Sequence, residues 1–365
     1  MSGLPDFPWD SLAVHKATAV AHPGGLVDLS VGTPVDPTPV VVARALAAAS
    51  DSPGYPLTAG TPALREAVAA WFARRRGVPD VDPAGVLPTI GSKEMVAWLP
   101  TLLGLGVGDV VGLPAVAYPT YDVGARLAGA TPVVVDGLTA LGPLTRATRP
   151  RLLWVNSPSN PTGAVLGVEH LAKVVAWARQ HRVVVASDEC YAQLTWSGDG
   201  PAPSILDPRV ARGSHEGLLA LYSLSKQSNL AGYRAAFVAG DPALVAGLLE
   251  VRKHAGMIVP APVQAAMVAA LDDDAHVEEQ HARYAARRTL LRPALERAGF
   301  AVADTGAGLY LWSTRDEPAL DSVAWLAQRG ILVAPGSFYG RAGDRHVRVA
   351  LTATDERIAA AASRL

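Results

Sequence analysis

Apolar residues along this chain fall into two alternating patterns. Short, often β-branched runs occupy 86–90, 110–113, 132–135, 152–155, 183–186, 218–222 and 235–238. They carry too few polar residues for one face to meet water, which predicts strands buried on both faces of a mainly parallel sheet. Helical periodicity fills several of the intervals, at 94–103, 121–127 and 168–181. Such alternation is the pattern of an α/β fold with helices on both sheet faces. From about 242 the pattern changes. Long helices rich in Ala, Arg and Glu are predicted, including 262–271 and 275–298, and strand-like stretches follow near 308–313, 331–334 and 347–351. The expected organisation is a large domain over 40–250 and a smaller α+β domain made of 251–365 with 1–39. The Pro- and Gly-rich 1–39 is read as extended and unable to fold alone, so it packs against the rest.

Composition narrows the function. Of 365 residues, 50% are hydrophobic and 18% charged, with a net charge of -1. That balance suits a well-buried enzyme and supplies no basic footprint, so neither nucleic acid nor an anionic membrane is expected as a partner. The start of the chain has no signal-peptide pattern, and no stretch of about 18 uncharged apolar residues is free of Gly and Pro, so a cytoplasmic location is expected. Cys190 is the one cysteine, which excludes an intrachain disulfide and makes a cysteine metal site untenable. No His-Glu-x-x-His, Gly-x-x-x-x-Gly-Lys or post-strand Gly-x-Gly-x-x-Gly occurs, so no metal and no nucleotide are expected. Lysine is scarce: Lys16, Lys93, Lys173, Lys226 and Lys253 are all there is.

One of these stands out. Ser223-Leu224-Ser225-Lys226 follows the apolar run 218–222, and Arg234 comes soon after. Burial disfavours an ammonium, so a lysine at a buried strand end tends to the neutral amine that attacks an aldehyde. Two hydroxyls and a guanidinium beside it suit a phosphate. Taken alone, the same run also suits a solvated loop. The strand 183–186 leads into Asp188 and Glu189, where a buried carboxylate needs a cation or serves as a cap. Asn160-Pro161-Thr162-Gly163 is turn chemistry after the strand 152–155. Gly91-Ser92-Lys93 joins a strand to a helix, with Ser92 the expected N-cap and the first amides free to bind phosphate. Arg348 sits mid-strand in 347–351, where its guanidinium needs an anion, either a substrate or a structural ion-pair partner.

Together these segments resemble the class I/II pyridoxal phosphate dependent aminotransferases of the aspartate aminotransferase fold, across nearly the whole chain. The resemblance implies fold type I, with a mainly parallel seven-stranded sheet in the large domain and a smaller α+β domain. It makes Lys226 the catalytic lysine that holds pyridoxal 5'-phosphate as a Schiff base and moves the substrate proton. Ser223 and Arg234 would bind the cofactor phosphate, with Ser225 in support and Gly91, Ser92 and Lys93 cradling it mainly through backbone groups, the Lys93 side chain turned to solvent or a surface pair. Asp188 would pair with the pyridinium nitrogen, Asn160 and Tyr191 would contact the phenolic oxygen, and Tyr118 would stack on the ring. Tyr55, in Tyr-x-x-x-x-Gly before a helix at 63–75, would reach the phosphate of a neighbouring subunit in a homodimer, or else is an ordinary turn residue. Arg348 would grip the substrate α-carboxylate, and the backbone of Gly32 would face it. The length and the stretches 54–60 and 308–312 are similar to actinobacterial N-succinyldiaminopimelate aminotransferases. Glutamate would then be the donor and N-succinyl-2-amino-6-ketopimelate the acceptor, with aspartate, aromatic or kynurenine-type transamination and C–S β-lyase chemistry as alternatives.

Overall fold

A computed structural model of the chain describes residues 4–137, 144–145, 148–196, 198 and 200–365. Its strands in chain order are β1 (Val27–Asp28), β2 (Val86–Ile90), β3 (Val110–Leu113), β4 (Thr131–Val134), β5 (Pro150–Asn156), β6 (Val184–Asp188), β7 (Leu218–Ser223), β8 (Ala235–Gly240), β9 (Ala301–Val302), β10 (Tyr310–Thr314), β11 (Ile331–Leu332), β12 (Ala334–Pro335) and β13 (Val347–Ala350). Each of the seven apolar runs read from the sequence becomes a strand of one sheet, ordered β2-β8-β7-β6-β5-β3-β4. The sheet is parallel from β7 through β4, and β8 runs antiparallel to both β7 and β2. An antiparallel neighbour needs no helical crossover. The segment between β7 and β8 therefore turns straight back, and it carries Lys226 and Arg234 on that turn.

Alternate residues of the central strands feed two cores on opposite sheet faces, as the pleat requires. Ala220, Tyr222 and Phe237 pack with Trp71 and Phe72 on one side. Leu219, Leu221 and Val238 pack with Met95, Leu99 and Trp154 on the other. Burial on both faces is lost along the edge strand β4, where Val133 and Val134 are exposed. The C-terminal ends of β3, β5, β6 and β7 share one edge of the sheet, the place where open α/β sheets present their ligand crevice.

The C-terminal part forms an antiparallel sheet, β12-β13-β10-β9, against the helix Ala275–Arg297, with Tyr284, Leu291, Leu311 and Val349 in its core. β1 pairs in parallel with β11, so the N-terminal segment does pack on this part. It is not wholly extended, because Ala13–Val20 forms a helix. The boundary expected at 250 falls inside the helix Pro242–Ala255, and Met267 and Ala270 of the next helix belong to the core of the large sheet. Among the described residues, no helix is long and apolar enough to cross a membrane.

Candidate active site

At the C-terminal edge of the parallel strands lies a cavity of about 370 Å³ lined by Ser92, Lys93, Tyr118, Asn160, Asp188, Tyr191, Ser223, Ser225, Lys226, Arg234 and Arg348. Thus eleven of the fourteen positions singled out in the sequence line one cavity, and Gly32 and Gly91 touch its members. Tyr55 does not: it is fully exposed on the chain surface.

β7 ends at Ser223, whose Oγ accepts from the Ser225 amide (3.2 Å) and donates to Ser225 Oγ (2.8 Å), opening the short helix Leu224–Gln227. This turn aims Lys226 into the cavity, where Nζ donates to the Gly32 carbonyl at 2.6 Å. No carboxylate pairs with it among the described residues. Burial lowers its pKa, and the Arg348 and Arg234 guanidiniums push it the same way. Gly32 offers its carbonyl here, and its φ of 78° together with the nearby Tyr310 side chain restricts the position to glycine.

β6 ends at Asp188, and Glu189 follows it; the two acids point to opposite sides, as neighbours along an extended chain do. Glu189 is buried against Arg76 (2.7 Å) and accepts from Ser204 Oγ and the Ile205 amide. Asp188 faces the cavity. Its Oδ2 accepts from Tyr121 Oη at 2.8 Å and its Oδ1 from the Cys190 amide at 3.2 Å. Burial, and then the Asp188 charge, push the Tyr121 phenol well above its usual range, so Tyr121 stays a donor. Its ring stacks on Trp154, centroids 4.9 Å apart. Tyr121 was not singled out in the sequence reading, although it lies three residues past Tyr118, whose half-buried ring lines the wall and meets Tyr121 edge-on at 6.3 Å.

At the other end of the cavity, Gly91 with φ 77° precedes the helix Ser92–Leu102. Ser92 is not the N-cap expected of it. Gly91 takes that place, and Ser92 belongs to the first turn and the cavity lining. A Cβ on Gly91 would collide with the Arg234 guanidinium, so the missing side chain makes the room that Arg234 fills. Arg234 donates to the Ala231 carbonyl (2.8 Å), with no acid paired to it among the described residues. Glu94 braces this corner: one oxygen accepts from the Ile90 amide (3.1 Å), the other from buried Arg252 (2.6 Å). Lys93 is exposed, with its ammonium 5.5 Å from the Phe7 ring at the cavity mouth.

Opposite Lys226, Arg348 is 1% exposed. It donates to Asn160 Oδ1 (3.0 Å) and to the Ser30 carbonyl (2.5 Å), while its Nε has no partner among the described residues. Its guanidinium lies 3.9 Å from the centroid of Tyr310 and 5.0 Å from that of Tyr339. The structural ion pair that the sequence left open is not present among the described residues.

A family model, aminotransferase class I and II, matches residues 25–365. The chain belongs to this family. Among its relatives are a probable aminotransferase of Mycobacterium tuberculosis, 65% identical over all of this chain and 86% of that one, and the 4-dedimethylamino-4-oxo-anhydrotetracycline transaminase OxyQ of Streptomyces rimosus, 60% identical over the full length of both. A solved structure described as a probable N-succinyldiaminopimelate aminotransferase from Thermus thermophilus superposes with a TM-score of 0.87 at 31% identity, covering 98% of this chain and 99% of that one. As a class I/II aminotransferase the protein is pyridoxal phosphate dependent, and its fold is that of the type I enzymes. The cavity fits the cofactor on its own chemistry. A lysine with a lowered pKa, a buried acid facing inward, and an unpaired arginine beside two serines and a helix start match an aldehyde, a ring nitrogen and a phosphate.

Proposed function

We propose that the protein transfers an amino group between amino acids and keto acids at this cavity, with Lys226 as the covalent anchor and proton carrier and Arg348 as the substrate clamp. The observation that carries the reading is Arg348: a fully buried guanidinium that, among the described residues, has an unpartnered Nε and no carboxylate beside it. A charge held this way is costly unless an anion arrives, and a substrate α-carboxylate is the anion the reaction supplies.

Pyridoxal phosphate, when bound, supplies the electron sink that makes the substrate α-proton acidic. Lys226 would hold the cofactor and, as a free amine, would take and return that proton, a role that its burial and lowered pKa favour. Asp188, held by Tyr121, would keep the ring nitrogen protonated. Asn160 and Tyr191 would hold the phenolic oxygen, and Tyr118 would cover the ring. Ser92, Ser223, Ser225, Arg234 and the Gly91–Lys93 backbone would hold the phosphate. Asn160 also orients Arg348 directly, so the cofactor and substrate ends share one residue. Gly32 accepts from Lys226 through its carbonyl, which leaves its amide N–H as the group that would face the substrate carboxylate.

For substrates, glutamate is the donor and a succinylated keto dicarboxylate, N-succinyl-2-amino-6-ketopimelate, the acceptor. The sequence resemblance and the Thermus thermophilus structure support this. A second reading, a ketone on a polycyclic scaffold, is favoured by the 60% identity with OxyQ over the full length. The enzyme works as a homodimer: fully exposed Tyr55 lies beside the exposed apolar Leu57, as expected of a residue that completes a neighbour's site. Sequential spectral titration tests the reaction and its substrates. The visible cofactor band should be lost with glutamate and return with one acceptor class. Keto-acid release without any acceptor would instead place the protein among the β-lyases, and no band after reconstitution would overturn the reading.

A further inference from the structure

We propose that Tyr310 is a positioning residue of the transamination site, its hydroxyl directing Tyr191 and its ring carrying Arg348. The inference rests on the reading of the cavity given above. It starts from strand register. β10 and β13 are antiparallel, with Trp312 opposite Arg348 and Tyr310 opposite Ala350. Residues two apart share a face, so Tyr310 is the diagonal neighbour of Arg348, within reach of a long side chain. The guanidinium lies 3.9 Å from the ring centroid, with Tyr310 only 3% exposed, and a cation on a desolvated aromatic face is strongly held there.

The hydroxyl has a separate task. It lies 3.1 Å from Tyr191 Oη, with the two rings edge-on at 5.7 Å. One buried phenol must donate and the other accept. Burial raises both phenols, but Arg348 and Lys226 bring Tyr310 below its usual value while Tyr191 stays well above its own. In the arrangement proposed, Tyr310 donates and Tyr191 accepts across this 3.1 Å contact. Tyr191, accepting, keeps its own hydrogen for the cavity and donates it more strongly, since hydrogen bonds in a chain polarise one another. The backbone has made space for this arrangement: a Cβ on Gly32 would lie 2.5 Å from the Tyr310 hydroxyl. Thus Tyr310 touches, through Tyr191, Arg348 and Gly32, the partners of cofactor, substrate and lysine at once.

The test uses holoenzyme and compares Tyr310→Phe, Tyr310→Leu, Tyr191→Phe and the double variant Tyr191→Phe/Tyr310→Phe. One readout is the pH midpoint of the visible absorbance of the Lys226-bound cofactor; the other is KM against kcat for the amino donor. Tyr310→Phe should raise the midpoint in the same direction as Tyr191→Phe but by less, and leave donor KM within about twofold because the ring remains. The double variant should match Tyr191→Phe alone, because the hydroxyl acts through Tyr191. Tyr310→Leu should raise donor KM about tenfold or more. An unchanged midpoint in Tyr310→Phe, or a double variant whose shift is the sum of the two singles, would sink the role of the hydroxyl. An unchanged KM in Tyr310→Leu would sink that of the ring. A wild-type protein with no pH-dependent visible band would instead overturn the underlying cofactor reading.

Discussion

Arg348 shows what one residue's surroundings can say about chemistry. Its neighbours are neutral: an amide oxygen, a carbonyl and two phenol rings. Losing the fork while keeping the charge should therefore damage substrate binding more than folding. We predict that Arg348→Lys raises KM for amino acids about 30-fold or more, the low end of the roughly 2–5 kcal/mol lost when a buried charge pair is broken. Decarboxylated amines, which lack the group Arg348 holds, should be nearly unaffected, and steady-state kinetics with both substrate classes decides. Lys226→Ala should lose transamination almost entirely, and single-turnover assays with near-normal rates would contradict its assignment. At this scale the sequence was legible where chemistry is local. Lys226, Asp188 and Asn160 sit at strand ends next to turn residues, and their types betray them. Tyr121 and Tyr310 were missed because their partners lie 67 and 119 residues away, brought together by tertiary packing that no local pattern encodes.

Elements carry these residues to their places, and two junctions fasten them there. Gly91, at the start of its helix, combines φ 77° with direct contact to Arg234. Gly91→Ala should cost about 1–2 kcal/mol in backbone strain alone and displace the guanidinium besides, so cofactor affinity should fall about tenfold or more by absorbance titration while far-UV dichroism is retained. The second junction fastens the N-terminal segment that lends Ser30 and Gly32 to the site. Asp36 takes two bonds from Arg287 and one from Gln280, and Arg287 also holds Asp355. Burial raises the Asp36 pKa, but Arg287 and Gln280 outweigh it and hold the carboxyl below its ordinary 3.8. The contribution of Asp36 to stability is therefore complete above about pH 4 and is lost as pH falls through the lowered value. Asp36→Ala should destabilise by less than the about 3–5 kcal/mol of an isolated buried pair, since Arg287 keeps Asp355, and should flatten the pH dependence of urea melts below pH 4. Strands were legible because an unbroken apolar run allows little else. The helix start at Gly91 was misread by one residue because serine is a good cap anywhere, and only the left-handed backbone shows that glycine has taken the role.

On the scale of the molecule, the single chain leaves one expected partner of the phosphate outside its own cavity. Tyr55 is fully exposed, and the seven-stranded sheet gathers every other predicted cofactor residue at one edge. If a second copy supplies Tyr55, symmetry makes each site draw Lys226 from one chain and Tyr55 from the other. Two defective variants then repair each other. Lys226→Ala removes the anchor, and Tyr55→Asp sets a carboxylate against the phosphate, so each homodimer should be inactive. In the mixed dimer one site receives both defects and the other receives neither. Random re-pairing of equal amounts makes half of the dimers mixed, with one working site in each, so about a quarter of wild-type activity should return. Mixing after unfolding and refolding together should show the recovery, and mixing without subunit exchange should not. If Tyr55→Asp keeps full activity by itself, the tyrosine is an ordinary turn residue and each chain builds its site alone.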